Sequence, residues 1–317
     1  MKTFFKTIML FLLAALLTAA LFPVGAGAIE MEDIPDAPQV LITGLSLVLD
    51  GEIGLVFHFS VPTVYRNGYL TLNCPGTSPQ KTSLADCQKD KAGKYTAVCL
   101  LSANQLAEKV TLTVFSSTGK KLASKSGSAA DYAQTLLKSG IASEEEKKVA
   151  RTLMNYGHYA QIVCSKECGW TIGTDYAEIA AIGALSADPT VFAPYAAVWK
   201  NSDSLPIALS LSLDYRTGIR IFLPSTAEKS VTVDGAEAEV RSCSFGGYSR
   251  VVEIEGVNAL NLEKTFTVSI GEKTVTLSAF SYCELAASQN PDADVLNAVR
   301  ALYEFHEAAA AFRASVN

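Results

Sequence analysis

The stretch that most constrains the fold is one that the chain states twice. Leu45-Ser-Leu-Val-Leu-Asp50-Gly-Glu-Ile-Gly54 recurs as Leu209-Ser-Leu-Ser-Leu-Asp214-Tyr-Arg-Thr-Gly218. Each copy alternates along its length, breaks at an aspartate and enters an apolar segment that ends in proline, Leu55 to Pro62 and Ile219 to Pro224. Alternation with a period of two is the pattern of a half-buried strand, and aspartate before a turn bonds its own backbone. The pattern therefore predicts the first hairpin of each of two related units.

The start of the chain sets the compartment. Lys2 and Lys6 precede an apolar run from Ile8 to Leu21, and the run closes on Pro23-Val-Gly-Ala26-Gly-Ala28. A positive start, an apolar centre and small residues at the cut make residues 1–28 a secretory signal peptide, with cleavage expected after Ala28. The run is shorter than the roughly 20 residues that a membrane span needs. Residues 29–40 read as a flexible leader, acidic and broken by Pro35 and Pro38. No later run is long enough to span a bilayer, so the expectation is an extracellular product, secreted or held non-covalently at the cell surface. The net charge of −6 argues against nucleic acid as a partner.

From residue 41 to 127 the period is two, with turns at Asp50-Gly51, Asn67-Gly68 and Gly119. Thr82 to Cys87 and Lys94 to Leu101 read as a hairpin. The period then becomes 3.6. Ser128 is placed to cap a helix carrying Tyr132, Leu136 and Leu137, and Gly140 stops it. Ser143-Glu-Glu-Glu146 is a capping box for a second helix from Glu144 to about Val163. Residues 41–169 are thus repeat 1, an antiparallel β-sandwich followed by a helical hairpin.

Residues 170–204 read as a connector. Residues 205–317 form repeat 2, a second antiparallel sandwich. Val275-Thr-Leu-Ser-Ala-Phe-Ser281 echoes Val110-Thr-Leu-Thr-Val-Phe-Ser116, at nearly the spacing of the hairpin echo. Leu302-Tyr-Glu-Phe305 echoes Leu153-Met-Asn-Tyr156 at a shorter spacing, which implies that repeat 2 lost one helix and keeps a single C-terminal helix. The fold class expected is mainly β with α, two tandem sandwich repeats.

The helical segment also carries a resemblance. Asp131-Tyr132-Ala133, Ser143-Glu-Glu-Glu146 and Leu153-Met-Asn155-Tyr156-Gly157-His158-Tyr159-Ala160-Gln161 resemble a module of secreted and cell-surface proteins of clostridia-like Gram-positive bacteria. In these an Asp-Tyr-Ala helix precedes a Leu-x-Asn-Tyr-Gly-x-x-Ala-Gln helix between β segments. The family carries no assigned enzymatic activity. The resemblance implies an exported, surface-associated role and leaves the ligand open.

Catalytic and cofactor motifs are missing from the sequence: no Gly-x-Ser-x-Gly, no phosphate loop, no dinucleotide fingerprint, and so no cofactor is expected. His58, His158 and His306 lack partners at metal-ligand spacing, and they read as structural or surface histidines with no metal expected. Asp50, Glu52 and Asp214 are the carboxylates nearest to a glycosidase pair, but Asp50 and Asp214 suit turns better. Seven cysteines leave at least one thiol over. Cys243 with Cys283, and Cys164 with Cys168, are the bridges considered. For binding, the aromatics outside core periodicity are Trp170, Trp199, Tyr65 and the Phe245-Gly-Gly-Tyr248 tip. The tryptophans suit burial of the connector better, whereas Phe245 and Tyr248 bracket two glycines in an exposed position. The reading is a non-catalytic surface protein that binds a cell-wall or host glycan or an extracellular protein. A carbohydrate-active hydrolase and a structural spacer are the alternatives.

Overall fold

The computed structural model describes residues 38–48, 51–168, 184–200, 204–213, 216–228, 230–289 and 292–316. The expected signal peptide, residues 1–28, falls outside the described residues. The fold is mainly β with α: four antiparallel sheets and four α-helices among the described residues.

In the first half the strands are β1 (Leu41–Leu47), β2 (Gly54–Ser60), β3 (Tyr69–Asn73), β4 (Gln80–Ser83), β5 (Gln88–Lys89), β6 (Tyr95–Leu100), β7 (Val110–Phe115) and β8 (Lys121–Gly127). They form two sheets, ordered β1-β2-β6-β5 and β4-β3-β7-β8. The expected hairpin of Thr82 to Cys87 with the following strand divides. Gln80–Ser83 pairs with β3, and the two-residue β5 pairs with β6. Leu55, Phe57 and Phe59 of β2, and Val110, Leu112 and Val114 of β7, are wholly buried and enter a common core.

The helical hairpin follows as α1 (Ala129–Leu137) and α2 (Glu144–Cys168). Ser128 caps α1, its Oγ accepting from the Asp131 N–H at 3.0 Å. The capping box on α2 is closed in both directions. Ser143 Oγ accepts from the Glu146 N–H at 3.1 Å, and Glu146 Oε2 accepts from the Ser143 N–H at 2.8 Å.

The second half holds β9 (Val198–Trp199), β10 (Ala208–Leu213), β11 (Thr217–Leu223), β12 (Val231–Val233), β13 (Ala236–Glu237), β14 (Val240–Phe245), β15 (Tyr248–Val257), β16 (Phe266–Ile270) and β17 (Lys273–Leu277). Its sheets are ordered β10-β11-β15-β14 and β13-β12-β16-β17-β9. Apart from β9, this is the strand order of the first half. Two helices follow, α3 (Ala279–Ser288) and α4 (Ala293–Val316).

The C-terminal helix is therefore present as expected, but it is the second of a pair rather than a single one. The sequence pattern predicts a strand from Thr274 to Phe280, overlapping the segment that echoes Val110 to Ser116. In the structure Val110 starts β7, whose counterpart in strand order is β16, and Ala279, Phe280 and Ser281 open a helix. Ser278 starts it with a capping box closed by Ser281, and Ala279, Phe280, Cys283 and Ala286 bury its inner face. A short helix that begins on Ala-Phe-Ser continues the apolar-polar alternation of β17, so the change of period is hidden.

Part of the expected connector belongs to the second half. Phe192 is wholly buried, 5.7 Å from Phe280 and 5.6 Å from Tyr303 between ring centroids. Trp199 lies on β9, pairs with Val275 and adds an edge to the sheet.

Elements of the same rank in the two halves meet each other. Helix α2 packs along α4, with Tyr156 stacked on Phe305 at 6.1 Å. In the first half, a 3-10 turn at Ala103–Gln105 supports α2; in the second, Ala259–Asn261 supports α4. At the matching helix positions, Gly157 lies against the Ala103 carbonyl, while His306 hydrogen-bonds the Ala259 carbonyl. A Cβ at Gly157 would stand 2.5 Å from Leu106 Cδ1 and 2.9 Å from the Ala103 oxygen. The Asn155-Tyr156-Gly157 stretch is thus a packing signature: Asn155 and Tyr156 are buried, and the glycine admits the turn.

Candidate functional site

The second half presents its outer sheet face with two kinds of chemistry. Strands β14 and β15 join through Gly246 and Gly247, at φ 51° and 89°. Two successive left-handed residues make the tight hairpin whose twist matches the strands, and glycine takes that backbone without a Cβ clash. The turn places Phe245 opposite Tyr248. Phe222 of β11 lies beneath them, stacked on Phe245 at 4.6 Å and 6.4 Å from Tyr248. Phe245 remains 54% exposed, so the cluster forms an aromatic platform rather than a core.

Beside it lies a charged group. Glu253 is held between Arg241, Nη2 to Oε2 at 2.6 Å, and Arg220, Nε to Oε1 at 3.3 Å. The carboxylate is mostly buried while both arginines stay nearly half exposed, so donors line the surface. A sugar ring offers an apolar face for stacking and hydroxyls for such donors.

The first half carries a different arrangement at the same place. His58 holds the position in β2 that Phe222 holds in β11. Its Nε2 lies 2.9 Å from Ser46 Oγ, and its Nδ1 3.3 Å from Asp90 Oδ2. Asp90 also takes the Ala92 and Lys94 N–H groups at 2.9 Å each on Oδ1, which shapes the β5–β6 turn. Burial lowers the His58 pKa, opposed by Asp90. This Ser–His–Asp chain was not foreseen: Ser46 lies 12 residues and Asp90 32 residues from His58 in sequence, and only strand pairing brings them together.

A third feature lies between the halves. A cavity of about 290 Å³ is bounded by the 3-10 turn with Ser102 and Asn104, by α2, by β10 and by α4. Asn104 is 5% exposed, and its Oδ1 has no hydrogen-bond partner among the described residues. Arg220 lines this cavity as well as flanking the platform.

Other expected residues fall elsewhere. Trp170, Asp50 and Asp214 lie outside the described residues. Trp199 is half buried on β9, away from the platform in strand order. Glu52 is engaged with Arg216 at 2.7 Å.

The disulfide is Cys74–Cys99, with Cα atoms 6.0 Å apart, joining the end of β3 to β6 and so one sheet to the other. The expected Cys243–Cys283 bridge does not form: both are thiols, Cys243 on β14 and Cys283 wholly buried in α3. Burial pushes the Cys283 thiol pKa up, and that of Cys87 up to about 11. The Cys164–Cys168 pairing involves a side chain, Cys168, outside the described residues. Among the described residues no cluster of three His, Cys, Asp or Glu is placed to hold a metal, and no helix is long and apolar enough to cross a membrane.

Comparison with protein-family models finds no match for this chain, and comparison with curated proteins finds none either.

Proposed function

We propose that this is an exported, non-catalytic binding protein, built by duplication of one sheet-and-helix unit, that holds an extracellular glycan on the platform of its second half. The observation that carries the reading is Phe245 and Tyr248 raised on a two-glycine turn above Phe222, with Arg220 and Arg241 beside them. The signal-like start and the Cys74–Cys99 bridge support export, since disulfides persist in oxidising compartments. The matching strand orders of the two halves support duplication.

A glycan array probed with the native chain and with Phe245→Ala and Tyr248→Ala tests the platform. Each truncation is expected to weaken binding about tenfold, or about 1.4 kcal/mol, as for a lost stacking partner. A glycan bound equally by all three chains removes the platform as the site.

A second reading rests on the Ser46–His58–Asp90 chain, whose hydrogen bonds run in the order of a serine hydrolase. It assigns acyl-ester hydrolysis to Ser46. Ester turnover and labelling by a fluorophosphonate, both lost in Ser46→Ala, would favour it; an unlabelled native chain would set it aside.

A further inference from the structure

One sheet of the first half stands apart in charge. The segments that build β4-β3-β7-β8, residues 69–83 and 110–127, carry Lys81, Lys120, Lys121 and Lys125 and no acid, in a chain where Asp and Glu outnumber Lys and Arg by 32 to 26. None of these lysines has an ion pair among the described residues. Alternation buries Leu70, Leu72, Leu112 and Val114, and leaves Tyr69, Thr71, Thr113 and Phe115 partly exposed on the outer face. Tyr69 and Phe115 stack at 5.0 Å between ring centroids, and neither packs on the core. Lys81 Nζ stands 3.8 Å from the centre of the Tyr69 ring, held there by cation–π attraction. Lys121 pairs with Phe115 from the edge strand β8. The result is a row of lysine, two rings and lysine, and both lysines are exposed.

The matching face of the second half separates what the fold needs from what it does not. It keeps the hydroxyls. Ser269 and Thr274 lie 3.3 Å apart across β16 and β17, as Thr113 and Ser124 lie 2.9 Å apart across β7 and β8. Such cross-strand pairs stabilise sheets, so both copies retain them. The charges and rings are not kept. Lys81 lies opposite Thr71 of β3, whereas Glu237 lies opposite Thr232 at the matching place on β12. Gly271 follows Ser269 at the interval at which Phe115 follows Thr113. Asp234 and Glu272 put further acids in the turns of the second copy. The same sheet is thus built without the lysine and aromatic row, which is free to serve a partner of opposite charge.

We infer that the outer face of β4-β3-β7-β8 is a second ligand surface, specific for an acidic polysaccharide. Lys81 and Lys121 take its carboxylate or sulfate groups, and the Thr71 and Thr113 hydroxyls, one row along, bond its hydroxyls. Nucleic acid fits less well, because its dense phosphates need a broader basic field than a chain of net charge −6 offers. The inference does not rest on the platform, because Phe245 and Tyr248 belong to β14 and β15 of the other half.

The test is titration of the native chain with polygalacturonate and dextran sulfate, each against its uncharged counterpart, methyl-esterified polygalacturonate or dextran, and with single-stranded oligothymidylate. At least one acidic polymer is expected to bind about tenfold tighter than its counterpart, and less tightly as salt rises. Preference between the two acidic polymers tells carboxylate from sulfate. Lys81→Glu, which installs the charge of Glu237, and Lys121→Glu should each weaken that binding about tenfold or more. Lys81→Arg, which keeps the charge, should bind as the native chain does, and so should Phe245→Ala. Equal binding of acidic and uncharged polymers overturns the inference. So does binding that survives both changes to glutamate or is lost in Phe245→Ala, tightest binding of the oligothymidylate, or no binding of either acidic polymer.

Discussion

Glu52 and Arg216 occupy the same position in the two hairpins and pair with each other, Oε1 to Nη2 at 2.7 Å and to Nε at 2.9 Å. Side chains at matching positions touch only where two like surfaces meet face to face, as in an isologous dimer. Tyr156 and Phe305 repeat the relationship in the helices. The contact between the halves is thus built like a dimer interface within one chain.

The first prediction concerns that pair. Both side chains are about a quarter exposed, so the interaction is neither fully screened nor fully desolvated. Glu52→Gln or Arg216→Gln should each cost about 1 kcal/mol in urea unfolding. The exchanged double variant, Glu52→Arg with Arg216→Glu, should recover part of the loss. Additive costs in the double variant would show that the two do not interact.

Gly157→Ala should be among the most damaging small changes in the protein. The added methyl would press on Leu106 and the Ala103 carbonyl, and the backbone oxygen cannot move without the turn. A loss of about 1–3 kcal/mol is expected from overpacking. An unchanged melting temperature would mean that α2 tolerates displacement.

Replacing Cys74 and Cys99 by alanine should lower stability by about 3 kcal/mol, the cost of freeing a closed loop of this size. Denaturant curves of the native chain with and without reductant should differ by a similar amount. Coincident curves would show that the bridge contributes nothing.

His58 should make stability fall in mild acid. Burial holds its folded pKa below the ordinary 6.5, so the unfolded chain takes up the proton more readily. The stabilising contribution is complete above pH 6.5 and is lost as pH falls through the lower folded value. His58→Gln should flatten the melting temperature between pH 7 and pH 5 relative to the native chain. Parallel profiles would contradict the assignment.

Asn104→Leu should raise stability by about 1 kcal/mol, by removing a buried amide oxygen that has no partner among the described residues and adding apolar surface. A destabilised variant would mean that the amide is satisfied within the fold.

The sequence by itself determined what depends on neighbours along the chain. Ser128 and Ser143 start their helices because a hydroxyl reaches an N–H three residues on. Gly246-Gly247 makes a tight tip because only glycine takes both left-handed conformations cheaply, and Phe245 and Tyr248 follow from it. Alternation set most strands. It concealed α3, where Ala-Phe-Ser prolongs a strand pattern until Cys283 and Ala286 impose a helical period. Only the tertiary structure decided the rest. The Cys74–Cys99 bridge, the Ser46–His58–Asp90 chain and the cavity at Asn104 each join segments well separated in sequence, and strand register or helix packing decides which side chains meet. The echo at Leu45 and Leu209 announced two similar halves. That Glu52 should find Arg216, and that Asn104 should border a cavity where Leu260 meets Gly51, follows from how those halves close on each other, which no local pattern encodes.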